Sequence, residues 1–174
     1  MQVNSKHFPR ILLLWLAFML DSVLSFFLPF DFTKSSPMLI SCMGLMMFTL
    51  INNELKDEEY LPYAVIAGGY YSILYADSLF IYILIYCVVA YFGRKYMKYS
   101  SYSFIESYIF IFSTIIFQEV VIYIMMIISQ VTKLGVLKYL TLRLLPTLVL
   151  NSLLFVFVFY GYKWISRKFQ EKSV

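Results

Sequence analysis

The sequence predicts an all-α protein that crosses a membrane as a bundle of about six helices. The prediction rests on the composition, on long apolar stretches separated by short polar ones, and on the distribution of basic residues. Of the 174 residues, 61% are hydrophobic and only 14% are charged, whereas about 25% are charged in an average soluble domain. A soluble domain with a mean hydropathy of +0.78 could not bury so much apolar surface. The short loops predict a single domain.

Polar residues set the limits of the predicted spans. The first span follows a basic stretch and stops at Pro29 and Asp31. Because it is long and aromatic and lacks a small-residue cleavage site, we interpret it as a retained span and not as a signal peptide. The second span ends at Asn52 and Asn53. The six predicted spans are residues 11–30, 37–52, 61–76, 78–93, 102–129 and 139–164.

The apolar block 61–93 decides the number of spans. A single helix over its 33 residues would be roughly 50 Å long, against a hydrocarbon core of about 30 Å. Two shorter helices that meet at Ala76-Asp77-Ser78 fit better, and Asp77 would cap the N-terminus of the second. Both helices are short for a span, which predicts local thinning of the bilayer or partial burial.

The basic residues support six spans with both termini in the cytoplasm. In this topology, ten of the 14 Lys and Arg residues fall on the side of the termini and four on the other. A single third span would turn the cluster Arg94-Lys95-Lys98 outward. The loop after the second span is acidic, but acidic residues contribute little to orientation.

Ionisable residues within the spans are the first candidates for function, because charge in hydrocarbon is costly. Asp21 lies midway along the first span, Glu119 lies in the fifth, and Arg143 lies near the start of the sixth. One interpretation is a proton or substrate path lined by Asp21 and Glu119. The other is that each acid is protonated, or pairs with Arg143 or a polar neighbour, and fixes helix packing. We favour packing, because three such groups are few for a proton relay.

Small and helix-bending residues form a second group of candidates. Gly68 and Gly69 predict close packing of the third helix against a neighbour. Pro146 predicts a kink in the sixth span, with Thr147 helping to satisfy the carbonyl groups that the proline frees. Asn151 is a candidate for a hydrogen bond between helices.

The sequence offers few residues for catalysis or metal binding. The only histidine, His7, precedes the spans, so no Ser-His-Asp or Cys-His set can form within them. Cys42 and Cys87 lie in apolar runs, as small hydrophobic residues do. We therefore predict no enzymatic activity, no cofactor and no metal site. The net charge of +4 is too small and too scattered to indicate nucleic-acid binding.

Four segments together resemble one known family, the bacterial rod shape-determining protein MreD family. In order along the chain they are Leu20-Asp21-Ser22-Val23-Leu24 with Pro29 and Pro37; Gly68-Gly69 with Leu74-Tyr75-Ala76-Asp77-Ser78; Gln118-Glu119; and Leu145-Pro146-Thr147 with Asn151. The likeness runs almost from end to end. One departure is that Tyr75 and Ala76 stand where the family usually has a glycine near the third-span aspartate.

The resemblance implies a non-enzymatic component of the cell-wall elongation machinery in the bacterial plasma membrane. The implied partners are a single-span protein of the MreC type, the wall synthase RodA with its transpeptidase, the actin-like MreB, and membrane lipid. The family's fold is similar to that of vitamin-binding subunits of energy-coupling transporters, so the alternative is such a subunit. Those subunits carry a small residue at every fourth position of the first helix, whereas the first span here is bulky, which favours the cell-wall function.

Overall fold

A computed structural model describes residues 7–28, 37–75, 79–97 and 103–171. Every regular element in these ranges is helical, which confirms the all-α prediction. The elements are α1 (His7–Phe27), α2 (Met43–Asn52), α3 (Tyr60–Tyr75), α4 (Leu79–Met97), α5 (Phe104–Ile128), α6 (Val136–Tyr139), a π-helical turn (Leu140–Leu144) and α7 (Leu145–Glu171). The last three follow one another without a gap and form one long helix.

Within the described ranges, three helices are long and apolar enough to cross a membrane. They are Pro9–Phe27, Phe104–Ile128 and Val136–Lys168. A membrane-embedded protein is thus supported, but by three helices where the sequence predicts six spans. Of the other helices, α2 and α3 have only 10 and 16 residues, and the last turn of α4 is charged.

Helices α3 and α4 pack tightly against each other, and they end at Tyr75 and begin at Leu79, on either side of the predicted helix break. The rings of Tyr71 and Tyr82 lie 4.6 Å apart between the two helices. A Cβ atom on Gly68 would lie only 2.6 Å from the Cα atom of Ile83, whereas one on Gly69 would meet nothing within 4 Å. Only Gly68 therefore provides close packing, and the prediction for Gly69 is wrong. Asp77, the predicted cap, lies outside the described residues.

The second predicted span, 37–52, is not one continuous helix. Residues 37–42 have no regular secondary structure, and α2 begins only at Met43. We call residues 37–42 the extended segment. Helix α2 occupies the centre of the bundle, where it packs against α1, α3, α4, α5 and α7, and every residue from Gly44 to Asn52 is buried. The apolar pattern predicted this stretch correctly as buried, but tertiary hydrogen bonds replace its first helical turns.

Polar contacts join several helix ends on one side of the bundle, which we call the Arg94 end. Arg10 near the start of α1 lies 3.7 Å from the Glu54 carboxylate just after α2. Arg94 in α4 pairs with Asp57 before α3, and the Ser166 hydroxyl of α7 donates to Glu54 at 3.4 Å. The start of α1 and the C-terminal part of α7 therefore lie at the same end.

Candidate functional site

Asp21 binds the N-terminus of α2 from a different helix. Its side chain is buried, and its carboxylate accepts hydrogen bonds from the backbone N–H groups of Met43 at 2.8 Å and Gly44 at 2.6 Å. The Ser41 hydroxyl also donates to it. Cys42, at the N-cap position of α2, makes no side-chain capping bond. Asp21 therefore supplies the cap, and its negative charge is favourable at the positive end of the helix.

Gly44 makes this capping contact possible, and the sequence analysis missed it. A Cβ atom at this position would lie 2.4 Å from the Phe18 ring and 3.2 Å from the Asp21 carboxylate. A larger residue would push α2 away from α1 and lengthen the bonds to Asp21. The sequence did contain a signal for it. Ser41 is a possible N-cap residue in an otherwise apolar run, and its presence shortly before Gly44 indicates that a helix starts there.

Asn151 holds the extended segment against α7. Its amide group donates to the backbone carbonyl of Ile40 at 2.8 Å and to that of Thr147 at 2.8 Å. Its side-chain oxygen accepts from the backbone N–H of Cys42 at 2.9 Å. The predicted interhelical bond is thus a bond to non-helical backbone. Such backbone is tolerated at membrane depth only where protein groups satisfy it, and Asn151 does so on both sides of Ser41.

Pro146 creates a second attachment point for the extended segment. It follows the π-helical turn directly, and because proline has no N–H, the Leu142 carbonyl four residues earlier has no α-helical donor. The Met38 backbone N–H donates to that carbonyl at 2.6 Å. Thr147 was predicted to satisfy the freed carbonyl, but its hydroxyl instead donates to the Met38 carbonyl at 3.5 Å. The extended segment therefore supplies the hydrogen-bond donor that the Leu142 carbonyl lacks because of Pro146.

Glu119 and Arg143 form a buried ion pair between α5 and the π-helical turn. Arg143 Nε donates to Glu119 Oε2 at 2.7 Å, and its Nη2 lies 3.5 Å from Oε1. The Tyr139 hydroxyl donates to Oε2 at 2.7 Å. Both charged side chains are almost completely buried. Of the two interpretations of Glu119, the structure shows the one in which it pairs with Arg143.

A cavity of about 220 Å³ lies between the extended segment and this ion pair. Glu119 and Arg143 contribute to its wall, as does Ser41, whose hydroxyl donates to Asp21; Asp21 itself does not line the cavity. This cavity is therefore lined by Glu119 but not by Asp21. The lining residues are Ser25, Leu39, Ile40, Ser41, Tyr71, Tyr82, Glu119, Ile122 and Arg143.

The carboxylates of this region bind protein groups: Asp21 binds the amides of α2, and Glu119 binds Arg143 and Tyr139. Across residues 7–28, 37–75, 79–97 and 103–171, no group of three or more His, Cys, Asp and Glu side chains could hold a metal ion. Comparison of this chain with protein-family models, curated proteins and solved structures gave no match.

Proposed function

We propose that this chain is a non-enzymatic membrane component of the bacterial cell-wall elongation machinery and that it binds a single-span partner of the MreC type. One observation carries the proposal: several residues on which the family resemblance rests hold the helices of the bundle together. Asp21 caps α2, Gly68 lies at the α3–α4 crossing, and Asn151 holds the extended segment. Polar groups that form hydrogen bonds between parts of the bundle are more typical of a scaffold than of an enzyme.

An open apolar groove on α7 suits the partner span. The groove measures about 500 Å³ and is lined by Leu39, Thr141, Leu145, Pro146, Val149, Leu150 and Leu153. From residue 141 to residue 153, the helix rises about 18 Å, which is more than half of the roughly 30 Å hydrocarbon core. Helices associate in lipid through close packing, and a groove offers a transmembrane helix more contact than a flat face.

We propose six crossings of the bacterial plasma membrane, with both termini in the cytoplasm. The ten residues of α2 rise about 15 Å, and the six residues of the extended segment span at most about 20 Å. Together they are long enough to cross the hydrocarbon core as a broken second element. The Arg94 end brings Arg10, Arg94 and Ser166 to one side, which supports an even number of crossings. Basic loops at that end would face MreB or anionic lipid.

Cysteine labelling in whole cells tests this topology. Cysteines that replace Lys34 and Lys133 are expected to react with a membrane-impermeant thiol reagent added outside, because both loops would lie there. A cysteine that replaces Lys98 is expected to react only after the cells are permeabilised. Reaction of the Lys98 variant in intact cells would refute the six-crossing arrangement.

Depletion of the protein and purification of a tagged copy test the function. Loss of control over cell width, together with recovery of MreC, RodA and its transpeptidase, is the expected result. In the same assay, Val149→Trp should reduce recovery of the single-span partner by filling the groove. Val120→Trp is a matched control, because Val120 is exposed on α5 and does not line the groove. Normal cell shape after depletion would refute the proposal.

The alternative is a substrate-binding subunit of an energy-coupling vitamin transporter. The cavity beside Glu119 and Arg143 favours this candidate, because a binding subunit needs an enclosed polar site within its helices. The same purification separates the two functions. Recovery of a pair of ATPases, with a vitamin requirement after depletion, would identify the transporter subunit.

A further inference from the structure

The cavity beside the Glu119–Arg143 pair lies where the second element is broken. Leu39, Ile40 and Ser41 of the extended segment contribute to its wall. In membrane proteins, irregular backbone at this depth occurs where it is buried in protein or lines a cavity, and ligand sites of transporters are commonly built at such broken helices. The cavity therefore lies at the kind of position where membrane transporters commonly have their binding sites.

The walls of the cavity combine hydrogen-bonding groups with aromatic and aliphatic surface. Tyr71 and Tyr82 present rings whose centroids lie 4.6 Å apart, and Ile122 adds apolar surface. The Tyr82 hydroxyl makes no hydrogen bond to any other residue in the described part of the chain. The Ser41 hydroxyl donates to Asp21 and keeps its oxygen as an acceptor. A ligand can therefore satisfy polar groups at several points of the wall.

The ion pair determines the charge that the cavity can accept. Glu119 and Arg143 pair at 2.7 Å and are almost completely buried, so their charges sum to zero at the wall. The nearby Asp21 carboxylate does not line the cavity and already accepts from Ser41, Met43 and Gly44. A ligand with a net charge would bring an uncompensated charge into a buried site, which is strongly unfavourable. A neutral or zwitterionic molecule avoids this penalty and still forms hydrogen bonds.

The size of the cavity limits the ligand. A volume of 220 Å³ corresponds to about seven water molecules at roughly 30 Å³ each. Sites for drug-sized molecules start at about 300 Å³, so the ligand is smaller. Ser25 is the exposed member of the wall. It lies in the last turn of α1, away from the Arg94 end, and marks the entrance.

We propose that this cavity binds a small polar molecule without net charge, which enters beside Ser25 and contacts Ser41, Tyr82 and the Glu119–Arg143 pair. The site would serve the transporter function directly, but it does not depend on either proposed function. Within a scaffold, an occupied cavity would tie the extended segment to α5 and to the π-helical turn.

Thiol labelling of the purified full chain in lipid nanodiscs tests the site. Cysteine is placed at Ile122 on the cavity wall, at Val120 on the exposed face of the same helix, and at Lys133 in the exposed loop as a reference. Three methanethiosulfonate reagents of similar size serve as probes: one neutral, one cationic and one anionic. Mass spectrometry resolves each labelled cysteine from the native Cys42 and Cys87.

Relative to the Lys133 position, we expect the neutral reagent to label the Ile122 position about tenfold faster than either charged reagent, because a bare charge is excluded from the buried site. Millimolar phenylalanine, a zwitterion of suitable size, is expected to slow this labelling about threefold by occupying the site. 2-Phenylethylamine and 3-phenylpropionate each keep the aromatic ring and one charged group of phenylalanine and so carry a net charge, and neither is expected to protect.

Three outcomes would overturn the proposal. The Ile122 and Val120 positions could show the same reagent pattern, which would mean that the neutral reagent arrives through lipid. Charged probes could protect as well as phenylalanine does, or phenylalanine could fail to protect. None of these results would affect the cell-wall function, because cell width and co-purified partners test that function separately.

Discussion

Replacement of Glu119 by Gln tests the role of the buried ion pair. The change preserves the size of the side chain but removes the partner of Arg143 Nε, which lies 2.7 Å from the carboxylate. Arg143 cannot lose its proton, and its buried charge would lose the carboxylate that compensates it. Removal of one partner from a buried pair costs about 3–5 kcal/mol. This is a large share of a typical total stability of about 5–15 kcal/mol.

Equilibrium unfolding of the purified chain in mixed micelles, followed by circular dichroism, measures this loss. Arg143→Met alone is expected to be destabilising as well, because the Glu119 carboxylate would then lack its cation. The double variant Glu119→Gln/Arg143→Met should recover most of the stability, since no buried charge is left uncompensated. Glu106→Gln is the matched control. Glu106 belongs to the capping box at the start of α5, where a lost charge costs about 0.3–1 kcal/mol.

Two results would refute this reasoning. A stability of Glu119→Gln within about 1 kcal/mol of the parent chain would mean that Arg143 does not depend on Glu119 for compensation. The double variant could also be as unstable as the single variants. This result would mean that the stability depends on the shape of the two side chains and not on their charges.

Three further changes test the packing of the bundle, each by unfolding in the same micelles. Gly68→Ala should destabilise by about 1–3 kcal/mol, because the added methyl meets the α4 backbone and forces the helices apart. Gly69→Ala is its control and should be neutral or slightly stabilising, since nothing lies within 4 Å and Ala is the better helix former. Asn151→Leu should cost about 1–3 kcal/mol for each of the two extended-segment backbone groups left unsatisfied, and an unchanged stability would show that water replaces the amide. Pro146→Ala should change stability little, because the Leu142 carbonyl already accepts from the Met38 N–H; a large gain would show that the π-helical turn is strained.

Local sequence patterns predicted most of the helix positions. The predicted spans 61–76, 78–93, 102–129 and 139–164 correspond to α3, α4, α5 and the helix from α6 to α7, with ends that differ by a few residues. The break between α3 and α4 was predicted because one helix over residues 61–93 would be too long for a bilayer, and the basic residues supported it. The extended segment was missed because residues 37–42 are mostly apolar, as the start of a membrane helix would be. Hydropathy does not distinguish a helix from non-helical backbone whose N–H and C=O groups are hydrogen-bonded by side chains.

The candidate site was predicted as a set of residues but not as an arrangement. Asp21, Glu119, Arg143 and Asn151 were singled out because polar groups within apolar spans must find partners. Which partners they find depends on contacts between residues far apart in the chain, such as Asn151 with Cys42. Gly44 was overlooked for the same reason. A side chain is excluded at this position because the Phe18 ring of another helix occupies the space.

The sequence by itself determined that this chain is helical and belongs in a membrane, since backbone groups in hydrocarbon must be satisfied and long apolar helices do so within themselves. It also determined that any buried charge would need a partner. Only the tertiary structure decided that α1 caps α2, that α7 holds the extended segment, and that Glu119 binds Arg143. Those choices depend on which surfaces fit closely in three dimensions, and packing of this kind in lipid cannot be derived from spacing along the chain.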